Sequence, residues 1–378
     1  MSSTEMRDQS IFLTGATGAV GSELLRDLAA RKGLTINVLV RRTDREPCER
    51  VKALLGDLDV IAKLNVLEGD VCAGPSLGLD NATLGSLRRE TTHIVHAAGS
   101  TSFALALPDA RAANVWGSRN VLDFARSCAS LECGAFLSTV YVSGRRRGDF
   151  AESDYGDAGH GFVNSYEQSK AEMEEMVRNA MNELPLILVR LSIVVGDSTT
   201  GRVSRFNAIH HAIRLFYTGL APMIPGDAAG PVDMVSSDFV AAGIVQLLEN
   251  APRAGVFHLA AGRESCSSLE ELVDETMSAL ARFRPEWRKR SVEKPLIVDL
   301  DTYELFVRSV EETGNPVLQG ATRSIRTFAY QLAHPKVFET ERAAAALAWG
   351  GISPEPSLAF YPRVIKYCLE SNWGMRPC

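Results

Sequence analysis

The stretch Ile11-Phe-Leu-Thr-Gly15-Ala-Thr-Gly18-Ala-Val-Gly21-Ser-Glu-Leu-Leu25 opens on an apolar run of strand character. It breaks into glycines, then restarts with helical spacing at Val20, Leu24, Leu25 and Leu28. A strand, a tight turn and a helix follow from that order. Glycine is needed where backbone must approach a pyrophosphate closely, and the helix start offers unpaired N–H groups and the positive end of its dipole. The spacing is Gly-x-x-Gly-x-x-Gly, not the Gly-x-Gly-x-x-Gly dinucleotide fingerprint. A tight structural loop is the alternative reading, but the strand and helix on either side favour a bound dinucleotide.

Working outward, short apolar runs rich in β-branched residues recur at 36–40, 64–68, 92–96, 134–138, 186–190 and 256–259, with helical patterns between them. That alternation predicts an α/β fold: a Rossmann-like, doubly wound parallel sheet. From about Gly196 the rhythm loosens around Pro222, Pro225, Gly226, Gly230 and Pro231, and again from Ser265 to the end. The expected organisation is a dinucleotide-binding unit over 1–195 and a smaller, mainly substrate-binding part over 196–378, with 232–262 returning to the sheet. No repeat or extended linker separates the two.

Within the helix expected before residue 186, Tyr166 and Lys170 stand one turn apart and share a face. A phenol titrates near pH ~10, and an ammonium beside it favours the phenolate, so the pair can pass a proton to a substrate oxygen near neutral pH. The same spacing also arises when a tyrosine packs on the core beside a solvated lysine. The pair's position downstream of the glycine turn favours chemistry.

Composition narrows the classes. The chain has 378 residues, 46% hydrophobic and 23% charged, with a net charge of -6, so it carries no electrostatic footprint for nucleic acid. Residues 1–9 are polar and lack the apolar core of a signal peptide, and no run of about 18 apolar residues appears. The expectation is a cytoplasmic protein without a transmembrane segment. Seven cysteines are scattered without Cys-x-x-Cys spacing, which predicts free thiols and no zinc site. His210 and His211 lack a carboxylate or cysteine at ligand spacing and read as helix-surface residues, so no metal is expected.

Four motifs in order, Thr14-Gly-Ala-Thr-Gly-Ala-Val-Gly21, His96-Ala-Ala-Gly99, Leu137-Ser-Thr-Val-Tyr141 and Tyr166-x-x-x-Lys170, resemble the extended short-chain dehydrogenase/reductases. Within that superfamily the chain looks most like the fatty acyl-CoA reductase (male sterility) and thioester reductase branch. The closer resemblance lies in His96-Ala-Ala-Gly-Ser-Thr-Ser-Phe103, Asn114-Val-Trp-Gly-Ser-Arg-Asn-Val-Leu122, residues 189–201 and residues 232–240.

The resemblance implies that Gly15, Thr17, Gly18, Ala19 and Val20 cradle the pyrophosphate. It places Asp70 with Val71 at the adenine edge and Ala97, Ala98 and Gly99 on the ribose side. Thr139, with Ser138 as runner-up, is the hydroxyl partner of Tyr166, and Lys170 holds the nicotinamide ribose. Leu191 stands where the family often has proline. Arg41 and Arg42 end the second strand, where an acid would typically read the ribose of NAD; two guanidiniums suit a 2′-phosphate and favour NADP(H). A solvated basic strand end is the plainer reading of these arginines.

The implied activity is NADPH-dependent reduction of an acyl thioester, bound to coenzyme A or a carrier protein, to aldehyde or alcohol, with Thr139, Tyr166 and Lys170 as catalytic residues. Rival readings are an NAD(P)-dependent dehydrogenase, reductase or epimerase of a sterol, hydroxyketone or nucleotide sugar, and a dinucleotide-sensing regulator. Arg145, Arg146 and Arg147 are candidates for phosphates of the thioester carrier, with a solvated loop the plainer reading. Phe216 and Tyr217 are candidates for an acyl-chain wall, with ordinary core packing the alternative.

Overall fold

The computed structural model describes residues 9–156, 159–252, 254–290 and 292–375, apart from the side chains of residues 327 and 328. Seven strands form the central sheet: β1 (Gln9–Thr14), β2 (Leu34–Val40), β3 (Lys63–Glu68), β4 (His93–His96), β5 (Cys133–Thr139), β6 (Leu186–Leu191) and β7 (Gly255–Leu259). All neighbours are parallel, in the order β7-β6-β5-β4-β1-β2-β3. The chain runs outward from β1 to β3, then returns to lay β4 on the other side of β1. That reversal leaves a crevice at the carboxyl ends of β1 and β4, where open α/β sheets hold their ligands.

The helices that position the site are α1 (Ala19–Ala29), α2 (Gly117–Ser127), α3 (Ser165–Ala180), α4 (Ala208–Thr218), α5 (Ser237–Asn250), α6 (Leu269–Phe283), α7 (Pro316–Leu332) and α8 (Ser357–Glu370). Strand periodicity sorts side chains between the two faces of the sheet. Ile11, Leu13, Ile187 and Val189 pack with Leu24, Leu25 and Leu28 of α1 and Ile244 and Leu248 of α5. Phe12, Leu186 and Leu188 pack on the opposite face with Val121 and Phe124 of α2 and Met173 and Val177 of α3. Helices on both faces explain why the strands read as unbroken apolar runs and not as alternating ones.

Beyond the sheet, α4, α6, α7 and α8 build a separate apolar cluster around Ile213, Leu272, Leu280, Ile325, Phe360 and Ile365. Truncating a buried Leu or Phe to Ala in such clusters costs about 2–5 kcal/mol. Two short parallel pairings tie this part to the sheet side: residues 234–235 on 193–194, and 336–338 on 148–150. Phe216 belongs to the α4–α8 cluster and is buried, while Tyr217 stacks on Trp287. Of the two readings of Phe216, acyl-chain wall or core, the structure supports the core, because the residue joins the apolar cluster and α4 packs mainly on α7 and α6.

Candidate active site

The crevice is built first by close backbone approach. Gly15 follows β1 with φ +76°, and a Cβ there would stand 2.4 Å from the Ala97 carbonyl carbon and the Ala98 nitrogen. A Cβ on Gly21 would stand 2.2 Å from the Gly15 carbonyl oxygen. No side chain fits at either position, so the turn, the first turn of α1 and the loop after β4 touch backbone to backbone. Gly18 caps α1 without a side-chain hydrogen bond, so no cap side chain covers the first amides, and an anion can meet them. A cradle closed to any Cβ, at the switch point of a parallel sheet, fits a dinucleotide's pyrophosphate.

A buried polar chain fixes this floor. His96 Nδ1 lies 2.8 Å from Thr14 Oγ1, and His96 Nε2 lies 2.9 Å from Ser118 Oγ, which donates to the Asn114 carbonyl at 2.7 Å. Because the Ser118 proton is committed, Nε2 must carry the ring proton and Nδ1 must accept from Thr14. Burial, helped by the Lys170 charge, pushes the imidazole down to about 3, so it stays neutral and keeps this one tautomer. Thr14 Oγ1 also accepts from the Ala98 amide at 3.3 Å, which fixes the 97–99 loop against β1.

Tyr166 and Lys170 sit in the first two turns of α3, whose Asn164 cap accepts from the Glu167 amide at 3.0 Å. Both side chains are buried. Lys170 Nζ donates to the Leu137 carbonyl of β5 at 2.9 Å, which draws the lysine to the strand that ends in Thr139. Thr139 stands close enough to Tyr166 to pull the phenol's pKa down, and its Oγ1 accepts from the Tyr141 amide at 3.3 Å. Ser138 Oγ is buried with no hydrogen-bond partner among the described residues, so of the two adjacent hydroxyls the one on the Tyr166 side is Thr139.

The electrostatics differ from the expectation of a lysine-lowered phenol. Burial pushes Tyr166 up to about 12, Thr139 offsets part of this, and the Glu167 charge adds to it. Burial also pushes Lys170 down to about 8 against the pull of Glu174. Desolvation dominates, and the group that pulls the phenol down is Thr139 and not the Lys170 ammonium. At neutral pH the phenol therefore keeps its proton, which is the form a proton donor needs, and the ammonium keeps most of its charge.

Sequence reasoning noted Asn114 within a motif but gave it no role. It lies in a π-helical turn, Ala112–Trp116, and is fully buried. Its Oδ1 accepts from the Ser100 amide at 2.8 Å, and its Nδ2 donates to the Ser100 carbonyl at 3.1 Å and to Ser169 Oγ at 2.9 Å. A Cβ on Gly99 would stand 2.6 Å from that Oδ1. Asn114 thus joins the loop after β4 to the helix turn that carries Lys170.

At the other end of the crevice, Arg41 is largely exposed, with Nη1 3.9 Å from an Asp70 carboxylate oxygen. Asp70 also accepts from the Cys72 amide at 2.9 Å, and buried Val71 offers its carbonyl to Asn120 at 2.7 Å. Arg42 pairs with Glu46 and lies 3.6 Å from Glu68, so two carboxylates already engage it. Arg50, from the helix Pro47–Leu55, was not anticipated. Its guanidinium donates to the Arg41 carbonyl at 2.6 Å and to Thr17 Oγ1 at 3.1 Å, and so joins the glycine turn to the end of β2.

Other predicted groups fall outside the crevice or change role. Arg146 pairs with Asp154 at 2.9 Å and Arg147 donates to the Ala333 carbonyl at 2.6 Å. His210 is not a surface residue: it is buried, its Nδ1 accepts from the Asn207 amide at 3.0 Å, and its Nε2 meets the Val195 carbonyl at 2.7 Å. It closes the capping box of α4, a role that polarity alone did not suggest. Leu191 continues β6, paired with Thr139 and Leu259.

The family model described as male sterility protein matches residues 13–244. Among curated proteins the chain is 28% identical over 251 residues to a component of the linear gramicidin synthase of Brevibacillus parabrevis, covering 63% of this chain and 5% of that protein. It is 29% identical over 275 residues to the L-2-aminoadipate reductase large subunit of Penicillium chrysogenum, covering 66% of this chain and 19% of that protein. The chain thus spans a small fraction of the length of these relatives. Among solved structures it superposes on the terminal R domain from the myxalamid PKS-NRPS biosynthetic pathway with a TM-score of 0.79 at 23% identity, covering 100% of this chain and 94% of that one. It superposes on a thiolation-reductase di-domain from an archaeal non-ribosomal peptide synthetase with a TM-score of 0.73 at 22% identity, covering 97% and 76%. The chain belongs to the male sterility protein family, within the extended short-chain dehydrogenase/reductases.

Proposed function

We propose that the protein reduces an acyl thioester, held on a carrier protein or coenzyme A, to an aldehyde, with NADPH as the reductant. The observation that carries this reading is the buried trio of Thr139, Tyr166 and Lys170 at the end of β5, beside a crevice whose glycines exclude side chains. The names of the relatives, a reductase domain beside a thiolation domain and an aminoadipate reductase, support a thioester as the substrate. Arg41, Arg42 and Arg50 bring three guanidiniums to the end of β2 and support a 2′-phosphate, hence NADPH.

When bound, the nicotinamide supplies hydride to the carbonyl carbon. Thr139 and Tyr166 orient the carbonyl oxygen, and Tyr166 gives it a proton as the carbon is reduced, forming a hemithioacetal. Collapse of that adduct breaks the C–S bond, releases the thiol and leaves the aldehyde. Lys170 holds the ribose side of the cofactor site and supplies the positive charge that stabilises the phenolate left behind.

The test is a panel of acyl-CoA, acyl-carrier, aldehyde, ketone and nucleotide-sugar acceptors, each followed by cofactor absorbance with NADPH and, in parallel, with NADH. Reduction of thioesters with a preference for NADPH is the expected result. Turnover confined to ketones or nucleotide sugars would return the protein to the dehydrogenase or epimerase class.

A further inference from the structure

Next to the trio, a part of the molecule that the proposed reaction does not use holds an unusual concentration of unsatisfied polar atoms. A recess of about 20 Å³ lies between the strand Lys336–Phe338, the end of α7 and the segment around Asp233, lined chiefly by Tyr141, Asp233, Gln331, His334 and Lys336. Lys336 and Gln331 are more than nine-tenths buried. Neither Lys336 Nζ, nor Gln331 Oε1 or Nε2, nor His334 Nδ1 has a hydrogen-bond partner among the described residues. Each such group left unsatisfied costs about 1–3 kcal/mol, and a charged one more, so their convergence on one space points to an occupant.

The chemistry of the lining specifies that occupant. Lys336 offers three N–H donors and the Gln331 amide two, while the Asp233 oxygens are taken by the amides of Ala261 and Gly262 at 2.8 and 2.9 Å. The free capacity is mainly that of a donor. The field is positive as well: Lys336, Arg145 and Arg147 stand against the carboxylates of Glu167 and Asp233. A cavity needs about 10–15 Å³ for one water, so the recess has room for a carboxylate oxygen and not for a bulkier phosphate ester.

The recess also adjoins the reaction centre. Tyr141 lines it and is tied through its amide to Thr139 at 3.3 Å, and Glu167, the neighbour of Tyr166, faces Lys336 electrostatically. We infer that the recess walled by Gln331, His334 and Lys336 is a specificity subsite for a carboxylate carried by the acyl group, so that the enzyme prefers acidic acyl thioesters to purely aliphatic ones. The inference takes its substrate class from the proposed function, while the anion site itself does not depend on it. Burial holds Lys336 down to about 8 against the pull of Glu167, and an anion in contact would raise it.

Two measurements on the full chain separate the subsite from the reaction. The first compares hexanoyl-CoA with adipoyl-CoA, which differs by a terminal carboxylate, in wild type, Lys336→Met and Gln331→Leu. The wild type should favour adipoyl-CoA by tenfold or more in kcat/KM, and both variants should lose most of that ratio; a ratio near one in the wild type, or the same ratio in the variants, overturns the subsite. The second follows melting temperature in sodium acetate against sodium chloride at matched ionic strength. Acetate should stabilise the wild type and not the variants; equal behaviour overturns anion binding. If Lys336→Met fails to fold, Gln331→Leu decides both. Acetate binding without reduction of any thioester would sink the proposed reaction and leave the subsite standing, whereas thioester reduction indifferent to the carboxylate would do the reverse.

Discussion

The two ends of the crevice solve opposite problems. At one end Tyr166 and Lys170 are 8% and 7% exposed; at the other the side chains of Arg41 and Arg42 are 70% and 60% exposed. Burial moves the phenol up to about 12 and the ammonium down to about 8, so the protonation states at the inner end are set by the protein. At the outer end the guanidiniums sit in water, and their neighbours, Asp70, Glu46 and Glu68, are exposed or half-exposed pairs of small net worth that an arriving phosphate can displace. On the proposed function, the inner end is preorganised for proton transfer, while the outer end reads charge and yields to salt.

The largest expected effect lies at the inner end. Tyr166→Phe keeps the ring against Phe103, 5.5 Å away between centroids, and removes only the proton donor. Turnover should fall by about 10²–10⁴ with the melting temperature retained; a loss under tenfold would break the contrast between the ends.

The pH profile follows from the lysine. With Lys170 held near 8 and Tyr166 near 12, raising the pH discharges the ammonium first while the phenol keeps its proton. Turnover at saturating cofactor should therefore decline above about pH 8, and Lys170→Met should be slow at every pH and lack that limb. A decline that begins only near the ordinary phenol range would mean that the lysine charge is dispensable.

At the outer end, Arg41→Ala combined with Arg42→Ala should raise the NADPH dissociation constant about 10–100-fold, the worth of one or two charge-assisted hydrogen bonds, and leave NADH binding far less affected. Titration with both cofactors checks this, and equal losses would show that the arginines only support the loop. Arg50→Ala should weaken both cofactors, because it also releases Thr17 in the glycine turn. The smallest effect is of salt. Raising ionic strength from about 0.1 to 1 M, which shortens the screening length from about 10 to 3 Å, should weaken NADPH binding several-fold in wild type and less in the arginine double variant.

The same division explains what could be read from the chain. The sheet was legible because its strands other than the half-exposed edge strand β3 are largely buried and announce themselves as apolar runs, and the glycine turn because close backbone approach excludes every other residue. Tyr166 and Lys170 were legible through helical spacing, yet the sign of the phenol's shift was not, since spacing reveals a neighbour and not the depth of burial. The role of Asn114 escaped because it depends on a π-helical turn that no periodicity marks. Arg50 and Lys336 escaped for a related reason: one reaches the glycine turn across 33 residues of sequence, and the other arrives through a three-residue strand paired with residues 148–150. His210 was misjudged, and Phe216 left undecided, because residue type was weighed without knowing which face of α4 the neighbouring helices cover.

The central claim, that the buried trio reduces a thioester, is tested most directly by counting free thiol against NADPH consumed in one reaction with an acyl-pantetheine substrate. The account predicts one thiol released per NADPH when the aldehyde is the product, or one per two when the alcohol is, both abolished together in Tyr166→Phe. NADPH consumption without thiol release would contradict it.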